Sequence, residues 1–435
     1  MNLALLGEKL SHSLSPIIHK MVFDTLKIDG KYDLCEIKKE DLDGFMLELK
    51  KSGLDGINVT IPYKTDVMKS LDYISKDAEK IGAVNTIKVD DNKLFGFNTD
   101  YYGFGEMLKH NFIDVKDNNF VVIGAGGAAK GVVAYLADNG AKSIELFTRD
   151  KKRAEENFKL KEECDFKIKS YDMLSLKGKI LINTTPVGMH PDINNSPIPS
   201  DLLDGCLAVV DLIYNPEKTK LLKYAEEKGI QAVNGFYMLV AQALKAQEIW
   251  QKREISNNLT RNIFNTLKPG GKGNLILIGM PGCGKSTIGK MIAEKLDMTL
   301  FDMDEYIEDN IGPIACLFRK GESFFRDYES NTVKIAASNN NSIICTGGGV
   351  IKRKENMTFH ANSGTIVFID RPLDVIIEDI DHDSRPLLDG EKESVIMLYN
   401  ERIDLYKKYS HAAVINDKDI LSAVTKLEMI WKGRE

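Results

Sequence analysis

The first constraints come from what this 435-residue chain has little of. Its six cysteines (Cys35, Cys164, Cys206, Cys283, Cys316 and Cys345) form no C-x-x-C pair and have no histidine clustered beside them. That excludes a zinc site of ordinary spacing and a disulfide framework, and it fits a reducing, cytoplasmic setting. No run approaches the length of a membrane span. The opening residues, Met1 to Gly7, lack the length and the basic flank of a signal peptide. Positive charge is not in excess: 58 Lys and Arg stand against 64 Asp and Glu, a net charge of −6. With no long basic stripe, nucleic acid is not an expected partner. An anionic substrate must then be held by a few local cations rather than by a global field. There are no repeats and no low-complexity tract.

What is there is an ordinary globular composition, 43% hydrophobic and 28% charged, in a length that suits roughly three domains with cores of their own. Strand-like runs alternate with helix-period segments throughout, which predicts α/β layers with mostly parallel sheets. Leu3 to Leu6 reads as a strand. Ser15-Pro16 reads as a helix cap followed by proline at the first helical position. Ile18, Met21, Val22, Thr25 and Leu26 then give a core-facing stripe. Phe120 to Ile123 and Ile144 to Phe147 read as strands, with a helix from about Ala128 between them. Phe236, Leu239, Val240, Ala243 and Leu244 form another helical stripe. Lys268-Pro269-Gly270-Gly271-Lys272-Gly273 has no apolar residue and is the best linker candidate. Beyond it, Leu275 to Ile278 opens a second α/β unit.

Two glycine loops carry nucleotide chemistry. Gly124-Ala125-Gly126-Gly127-Ala128-Ala129 fits G-x-G-x-x-G/A between strand and helix. Its glycines admit a pyrophosphate to the helix N-terminus, although a structural glycine turn looks the same in sequence. After the next strand, where an NAD site usually places an acidic residue, stand Thr148 and Arg149, with Lys151, Lys152 and Arg153 behind. A guanidinium suits a 2′-phosphate, so NADP is favoured over NAD; a solvated basic turn is the plainer reading. Gly279-Met280-Pro281-Gly282-Cys283-Gly284-Lys285-Ser286 is a complete P-loop. Gly282 to Thr287 would wrap the phosphates of ATP, Lys285 would reach the β/γ oxygens, and Ser286 would hold Mg²⁺. Asp302-Met303-Asp304 follows at a strand end, where carboxylates on an extended segment suit a metal and an acceptor hydroxyl. Arg326, Gly347-Gly348-Gly349, Arg385 and Arg402 read singly as surface charge and a tight turn. Together they suit an anionic acceptor and a transferring phosphoryl group.

The strings Ser11-His12-Ser13-Leu14-Ser15-Pro16, Asn58 to Lys64, Gly82 to Thr86, Asn98-Thr99-Asp100, Asn183 to Met189 and Gly235 to Gln242, with the Gly124 loop, fall in the order of one family. About residues 1–267 resemble shikimate dehydrogenase. The resemblance implies an α/β substrate-binding domain over 1–100, completed by 238–265, and a Rossmann NADP-binding domain over 101–237. It implies Lys64 and Asp100 as the catalytic pair and Ser13 and Ser15 on the substrate carboxylate. Thr60, Asn85, Tyr214 and Gln242 would meet the ring hydroxyls. Leu212, where the family often has methionine, and Gly235 would lie by the nicotinamide. In chemical terms, Lys64 would donate the proton a ketone reduction needs and Asp100 would orient it; a loop lysine and a helix cap are the plain alternatives. After a linker at 266–273, residues 274–435 resemble shikimate kinase, a P-loop α/β/α fold. The carrying strings are the P-loop, Asp302-Met303-Asp304, Phe325-Arg326, Thr346 to Gly349, Arg385 to Leu388, and Arg402 with Tyr406. There the resemblance implies that Asp304, Arg326, Gly348 and Arg402 bind shikimate and that Asp304 activates its hydroxyl. Arg385 would be a lid arginine over ATP, and Asp302 would lie near Mg²⁺, directly or through water. The acidic stretch Glu378 to Asp383 departs from the family.

The reading is a bifunctional enzyme of chorismate biosynthesis that turns 3-dehydroshikimate into shikimate with NADPH, then phosphorylates it with ATP and Mg²⁺, as a monomer or homodimer. A metabolite-sensing regulator built from decayed copies would have lost Lys64, Asp100, Lys285, Ser286 or Asp304, and all are present. A reductase preferring quinate and NAD sits poorly with Ser13, Ser15 and Arg149. Arg149→Ala should weaken NADPH binding far more than NADH binding, by about 1.5–3 kcal/mol, the size of a charge-assisted contact. Equal loss for both cofactors in a fluorescence titration would remove the 2′-phosphate assignment.

Overall fold

The alternation of apolar runs and helical segments resolves into three sheets in a computed structural model of the chain, which describes residues 1–10, 13–158, 164–268, 273–379, 392–417 and 419–432. The first holds β1 (Asn2–Gly7), β2 (Lys31–Glu36), β3 (Gly56–Val59), β4 (Tyr73–Ile74), β5 (Thr86–Asp90) and β6 (Lys93–Phe97), in the order β2-β1-β3-β5-β6-β4. β5 runs antiparallel to both β3 and β6, so this sheet is mixed. The second holds β7 (Asn119–Ile123), β8 (Ser143–Phe147), β9 (Asp165–Lys169), β10 (Ile180–Asn183), β11 (Ala208–Asp211) and β12 (Gln231–Asn234). It is wholly parallel in the order β12-β11-β10-β7-β8-β9, the doubly wound arrangement with β7 as its first strand. The third, β14-β15-β13-β16-β17, is parallel as well and comprises β13 (Asn274–Ile278), β14 (Thr299–Asp302), β15 (Ser342–Cys345), β16 (Gly364–Asp370) and β17 (Ala412–Ile415).

Central parallel strands are covered on both faces, which is why Leu275 to Ile278 and Phe120 to Ile123 read as unbroken apolar runs and are fully buried. The helix Phe236–Gln251 leaves the second sheet and returns to the first, where it packs on the helix Ser15–Leu26 and on β5. Trp250 Nε1 donates to the Ile87 carbonyl at 3.0 Å, and a Cβ on residue 56 would run into that indole, so Gly56 is required by the close approach. On the helix Ser15–Leu26 the buried face is Ser15, Ile18, His19, Val22 and Phe23. The inward stripe is thus rotated relative to the sequence reading, because His19 and Phe23 pack inward while Met21, Thr25 and Leu26 stay half-buried. Among the described residues no helix is long and apolar enough to cross a membrane.

The chain divides into one unit of Met1–Lys109 with Ile113–Ile255, and another of His110–Phe112 with Ser256–Glu435. The boundary expected at residue 265 therefore moves. The helix Asn257–Leu267 packs on β16 and on the helix Ile420–Trp431. Asn265 Nδ2 donates to Thr365 Oγ1 at 3.0 Å and Arg261 Nη2 to the His411 carbonyl at 2.5 Å. The expected break at Pro269 to Lys272 lies outside the described residues. It follows that a fragment beginning at Ser256 should melt about 5 °C or more above one beginning at Gly273, since the longer piece keeps a packed helix worth a few kcal/mol. Equal melting temperatures in a calorimetric comparison would place this helix outside the second fold.

Candidate active sites

In the first unit, Lys64 and Asp100 are far apart in sequence and meet in the fold. Lys64 Nζ donates to Asp100 Oδ2 at 2.7 Å, with the side chains 21% and 17% exposed. Asp100 opens the helix Asp100–His110, where the partial positive charge of a helix N-terminus favours a carboxylate. The backbone fixes Lys64 as well, because its carbonyl accepts the Val84 N–H at 2.8 Å. Around this pair runs a buried polar network. Asn85 Nδ2 donates to Thr99 Oγ1 at 3.0 Å, Thr99 N–H donates to Asn85 Oδ1 at 2.7 Å, and Thr99 Oγ1 donates to Gln242 Oε1 at 3.3 Å. Asn58 Nδ2 reaches Thr86 Oγ1 at 3.1 Å while Tyr32 Oη donates to Asn58 Oδ1 at 2.8 Å. Thr60 follows β3, with its N–H on the Leu6 carbonyl at 2.9 Å.

Ser15 is not the cap expected of it. It is the first residue of its helix and is buried, and Ser13 Oγ accepts its N–H at 3.2 Å. The helix has no side-chain cap at Leu14, and the Ser15 side chain is hydrogen-bonded with Tyr32. Ser11 and His12 lie outside the described residues.

In the second sheet β7 runs into Gly124, which needs to be glycine twice over: its φ is +105°, and a Cβ would sit 2.6 Å from Thr184 Oγ1. A Cβ on Gly126 or Gly127 would meet no atom within 4 Å. The helix Gly127–Asp138 starts with no side-chain cap, so open space faces bare N–H groups, and that suits a phosphate. Ala125 and Ala128 flank the turn, half-buried. Gly124 N–H donates to the Phe147 carbonyl at 2.9 Å, which sets the end of β8 beside the loop. Thr148 and the exposed Arg149 come next, and Asp150 caps the helix Lys151–Asn157 by accepting the Arg153 N–H at 3.1 Å. On the other side of β7, Leu212 N–H donates to the Asn183 carbonyl at 3.0 Å. Gly235 lies so close to the Leu212 carbonyl that any Cβ would collide with it. Tyr214 stands half-buried on the same loop.

In the second unit the P-loop glycines Gly279, Gly282 and Gly284 have φ of +154°, +83° and +92°, which only glycine adopts readily. Lys285 Nζ is held by the Gly279 and Met280 carbonyls, each at 3.0 Å. Cys283 is buried, and its carbonyl accepts from Asn416 Nδ2 at 2.8 Å. Ser286, followed by Thr287 in the first turn, donates through Oγ to Asp302 Oδ2 at 2.7 Å. This hydroxyl–carboxylate pair is a fitting donor set for a hard divalent cation that keeps most of its own water. Asp302 and Asp304 do not share an extended segment: Asp302 Oδ1 caps the helix Met303–Asn310, and Asp304 lies in its first turn.

Three glycines draw the acceptor side together. A Cβ on Gly347 would meet Asp304 Oδ1 at 2.8 Å, one on Gly348 would meet Pro281 Cδ of the P-loop at 2.7 Å, and one on Gly349 would overlap the Arg326 guanidinium. The Gly348 carbonyl accepts from Arg402 Nη1 at 3.1 Å and from Tyr406 Oη at 2.5 Å. Arg402 is buried and, among the described residues, its Nε–H has no partner, a donor that suits an anionic acceptor. Asp304 opens to solvent, yet the surrounding protein mass raises its carboxyl above the ordinary value while Lys285 opposes the rise. Arg385 and the acidic stretch from residue 380 onward lie outside the described residues.

Sequence reasoning missed two buried carboxylates. Glu329 takes both of its hydrogen bonds from Arg326 Nη1, at 2.9 and 2.8 Å; the spacing i, i+3 on the helix Glu322–Ser338 was the available signal. Asp211, at the end of β11, is fully buried. Its Oδ1 accepts from Asn183 Nδ2 at 3.0 Å and from the Ile213 N–H at 3.1 Å, and its Oδ2 accepts from Thr219 Oγ1 at 2.7 Å. Burial pushes its carboxyl from 3.8 up to about 6, with those hydrogen bonds opposing. A raised carboxyl holds its proton longer in the folded than in the unfolded chain, so stability falls as pH rises from about 4 to 6. Above that range the buried anion costs about 3 kcal/mol. Asp211→Asn should therefore raise the melting temperature at pH 8, with the gain vanishing near pH 4. A gain independent of pH would mean that Asp211 is not charged in the native state.

Comparison with known proteins agrees with both halves of this geometry. Residues 5–87 match the family model described as the shikimate dehydrogenase substrate binding domain, and residues 281–429 match that of shikimate kinase. The shikimate dehydrogenase (NADP(+)) of Clostridium beijerinckii is 48% identical over 262 residues, which are 60% of this chain and 96% of that protein. The crystal structure of a chorismate mutase/shikimate 5-dehydrogenase fusion protein from Clostridium acetobutylicum is 46% identical, with a TM-score of 0.58 over 61% of this chain and 97% of that one. Shikimate 5-dehydrogenase from Thermus thermophilus, solved with NADP(H) and shikimate, is 32% identical, with a TM-score of 0.56 over 61% and 98% of the two chains. With strand, glycine loop and helix N-terminus in place in each unit, this chain belongs to the shikimate dehydrogenase family and carries a shikimate kinase domain behind it.

Proposed function

We propose that the chain performs two consecutive steps on one carbon skeleton: reduction of 3-dehydroshikimate to shikimate with NADPH, then phosphorylation of shikimate by ATP with Mg²⁺. The dehydrogenase half follows from the family. The observation that supports the second half is the Gly347–Gly349 turn, which packs on Pro281 of the P-loop and against Asp304 and Arg326, and whose Gly348 carbonyl accepts from Arg402.

In the first step Lys64 donates a proton to the ketone oxygen, and Asp100 holds the ammonium in place. Ser13 and Ser15 take the substrate carboxylate. Thr60, Asn85, Tyr214 and Gln242 orient the ring. NADPH, when bound, supplies the hydride. Gly124 to Ala128 would hold its pyrophosphate, Thr148, Arg149 and Arg153 its 2′-phosphate, and Leu212 and Gly235 would border its ring. In the second step Arg326 and Arg402 hold the carboxylate of shikimate, Gly348 borders the ring, and Asp304 accepts the hydroxyl proton. Its raised carboxyl makes it the better base. ATP would supply the phosphoryl group, with Gly282 to Thr287 on its phosphates, and Ser286 with Asp302 would hold Mg²⁺. All six cysteines are free, which supports a cytoplasmic setting.

Lys64→Ala should lower the rate of NADPH oxidation by about 10²–10⁴-fold, the usual size of a general-acid contribution, and leave phosphorylation of added shikimate nearly unchanged. Asp304→Ala should do the reverse. A point variant that remains folded by circular dichroism and loses both activities would end the picture of two independent sites.

A further inference from the structure

Asp211 is a buried carboxylate held by neutral donors alone. None of its partners is a cation: they are an amide side chain, a hydroxyl and a backbone N–H. An asparagine would keep Asn183 and Ile213 on its carbonyl oxygen, would reverse the bond to Thr219 by donating from its amide nitrogen, and would avoid the cost of a buried anion. Asp211 also sits where three βα loops join. Asn183, which donates to it, accepts the Thr185 N–H at 3.0 Å and the Thr185 hydroxyl at 2.7 Å. Thr184, between them, donates through Oγ1 to the Ile123 carbonyl at 2.8 Å, just before the Gly124 turn. Thr219 caps the helix Lys220–Glu227. The carboxylate thus lies under the carboxyl ends of β7, β10 and β11.

In a doubly wound sheet of this order a dinucleotide lies across the carboxyl ends of the strands, one mononucleotide on each side of the first strand. Arg149 marks the β8 side as the 2′-phosphate half, which leaves the β10–β11 side for the nicotinamide. The oxidised ring carries a positive charge and the reduced ring carries none. We propose that Asp211 is an electrostatic positioning residue, whose buried negative charge favours the oxidised over the reduced cofactor on the enzyme and thereby favours loss of hydride to the ketone. The inference rests on the NADP site described above.

The test is binding without turnover. Dissociation constants for NADP⁺ and NADPH are measured on the full chain by calorimetry at pH 8, without substrate, for the native protein, Asp211→Asn and Thr219→Val. Asp211→Asn should weaken NADP⁺ relative to NADPH by about tenfold, the effect of one charge acting through protein. Thr219→Val, which removes a hydrogen bond and keeps the charge, should weaken both forms alike and leave their ratio within about twofold of native. Should Asp211→Asn not fold, Asp211→Ser, also neutral, is read in the same way. An unchanged ratio in the neutral variant, or an equal ratio change in Thr219→Val, overturns the proposal. A native chain that binds neither form fails at the NADP site itself, which is a separate result.

Discussion

Backbone N–H groups bind phosphate only where nothing else has claimed them, and both nucleotide sites depend on that constraint. A helix that begins with its own side-chain cap has spent its first donors internally. The helices Gly127–Asp138 and Lys285–Leu296 begin without such a cap, behind glycines rather than Ser, Thr, Asp or Asn. Each follows a strand whose last four residues are fully buried, so the loop between is short and rigidly aimed. The price is a strained turn, and positive φ at Gly124, Gly282 and Gly284 meets it in the only residue type that carries it without steric cost.

The acceptor side of the kinase works by subtraction. Three consecutive side chains are missing at Gly347 to Gly349, and Asp304, Pro281 and Arg326 occupy the space. Arg326 is buried against Glu329, so much of its charge is already balanced, whereas Arg402 spends one N–H on the Gly348 carbonyl and, among the described residues, keeps its Nε–H free. Lys285 and Arg326 both act on the Asp304 carboxyl, Lys285 the more strongly.

Local chemistry was legible in the sequence and tertiary chemistry much less so. Strands buried on both faces announce themselves as apolar runs, and glycine loops announce themselves by spacing, so β7, β13 and the two cradles could be read directly. Lys64 and Asp100 were readable only through family strings, since no local pattern joins residues that far apart. The Ser15 cap was misassigned because the helix begins one residue earlier than the proline suggests, so Ser15 lies inside it and Leu14 stands at the cap position. The inward stripe of that helix was misplaced because His19 packs against Tyr32, with ring centroids 4.1 Å apart, and counts as core although it is polar. The grouping of the helix Asn257–Leu267 with the second unit is not visible in local sequence. This helix is committed to β16 by contacts that lie about a hundred residues away.

The two buried carboxylates that the sequence reading missed differ in a way that bears on their surroundings. Glu329 is balanced by Arg326, and removing either partner would strand a charge. Asp211 is stabilised by dipoles alone, an arrangement that lowers the cost of a buried charge without cancelling its field. A paired carboxylate is close to neutral at a distance, while one held by N–H and O–H donors still acts on whatever binds nearby. The kinase cleft must attract an anion and neutralises its own buried acid. The cofactor domain leaves its acid unneutralised, on the side of the sheet where the group exchanging charge would be a ring that alternates between neutral and cationic.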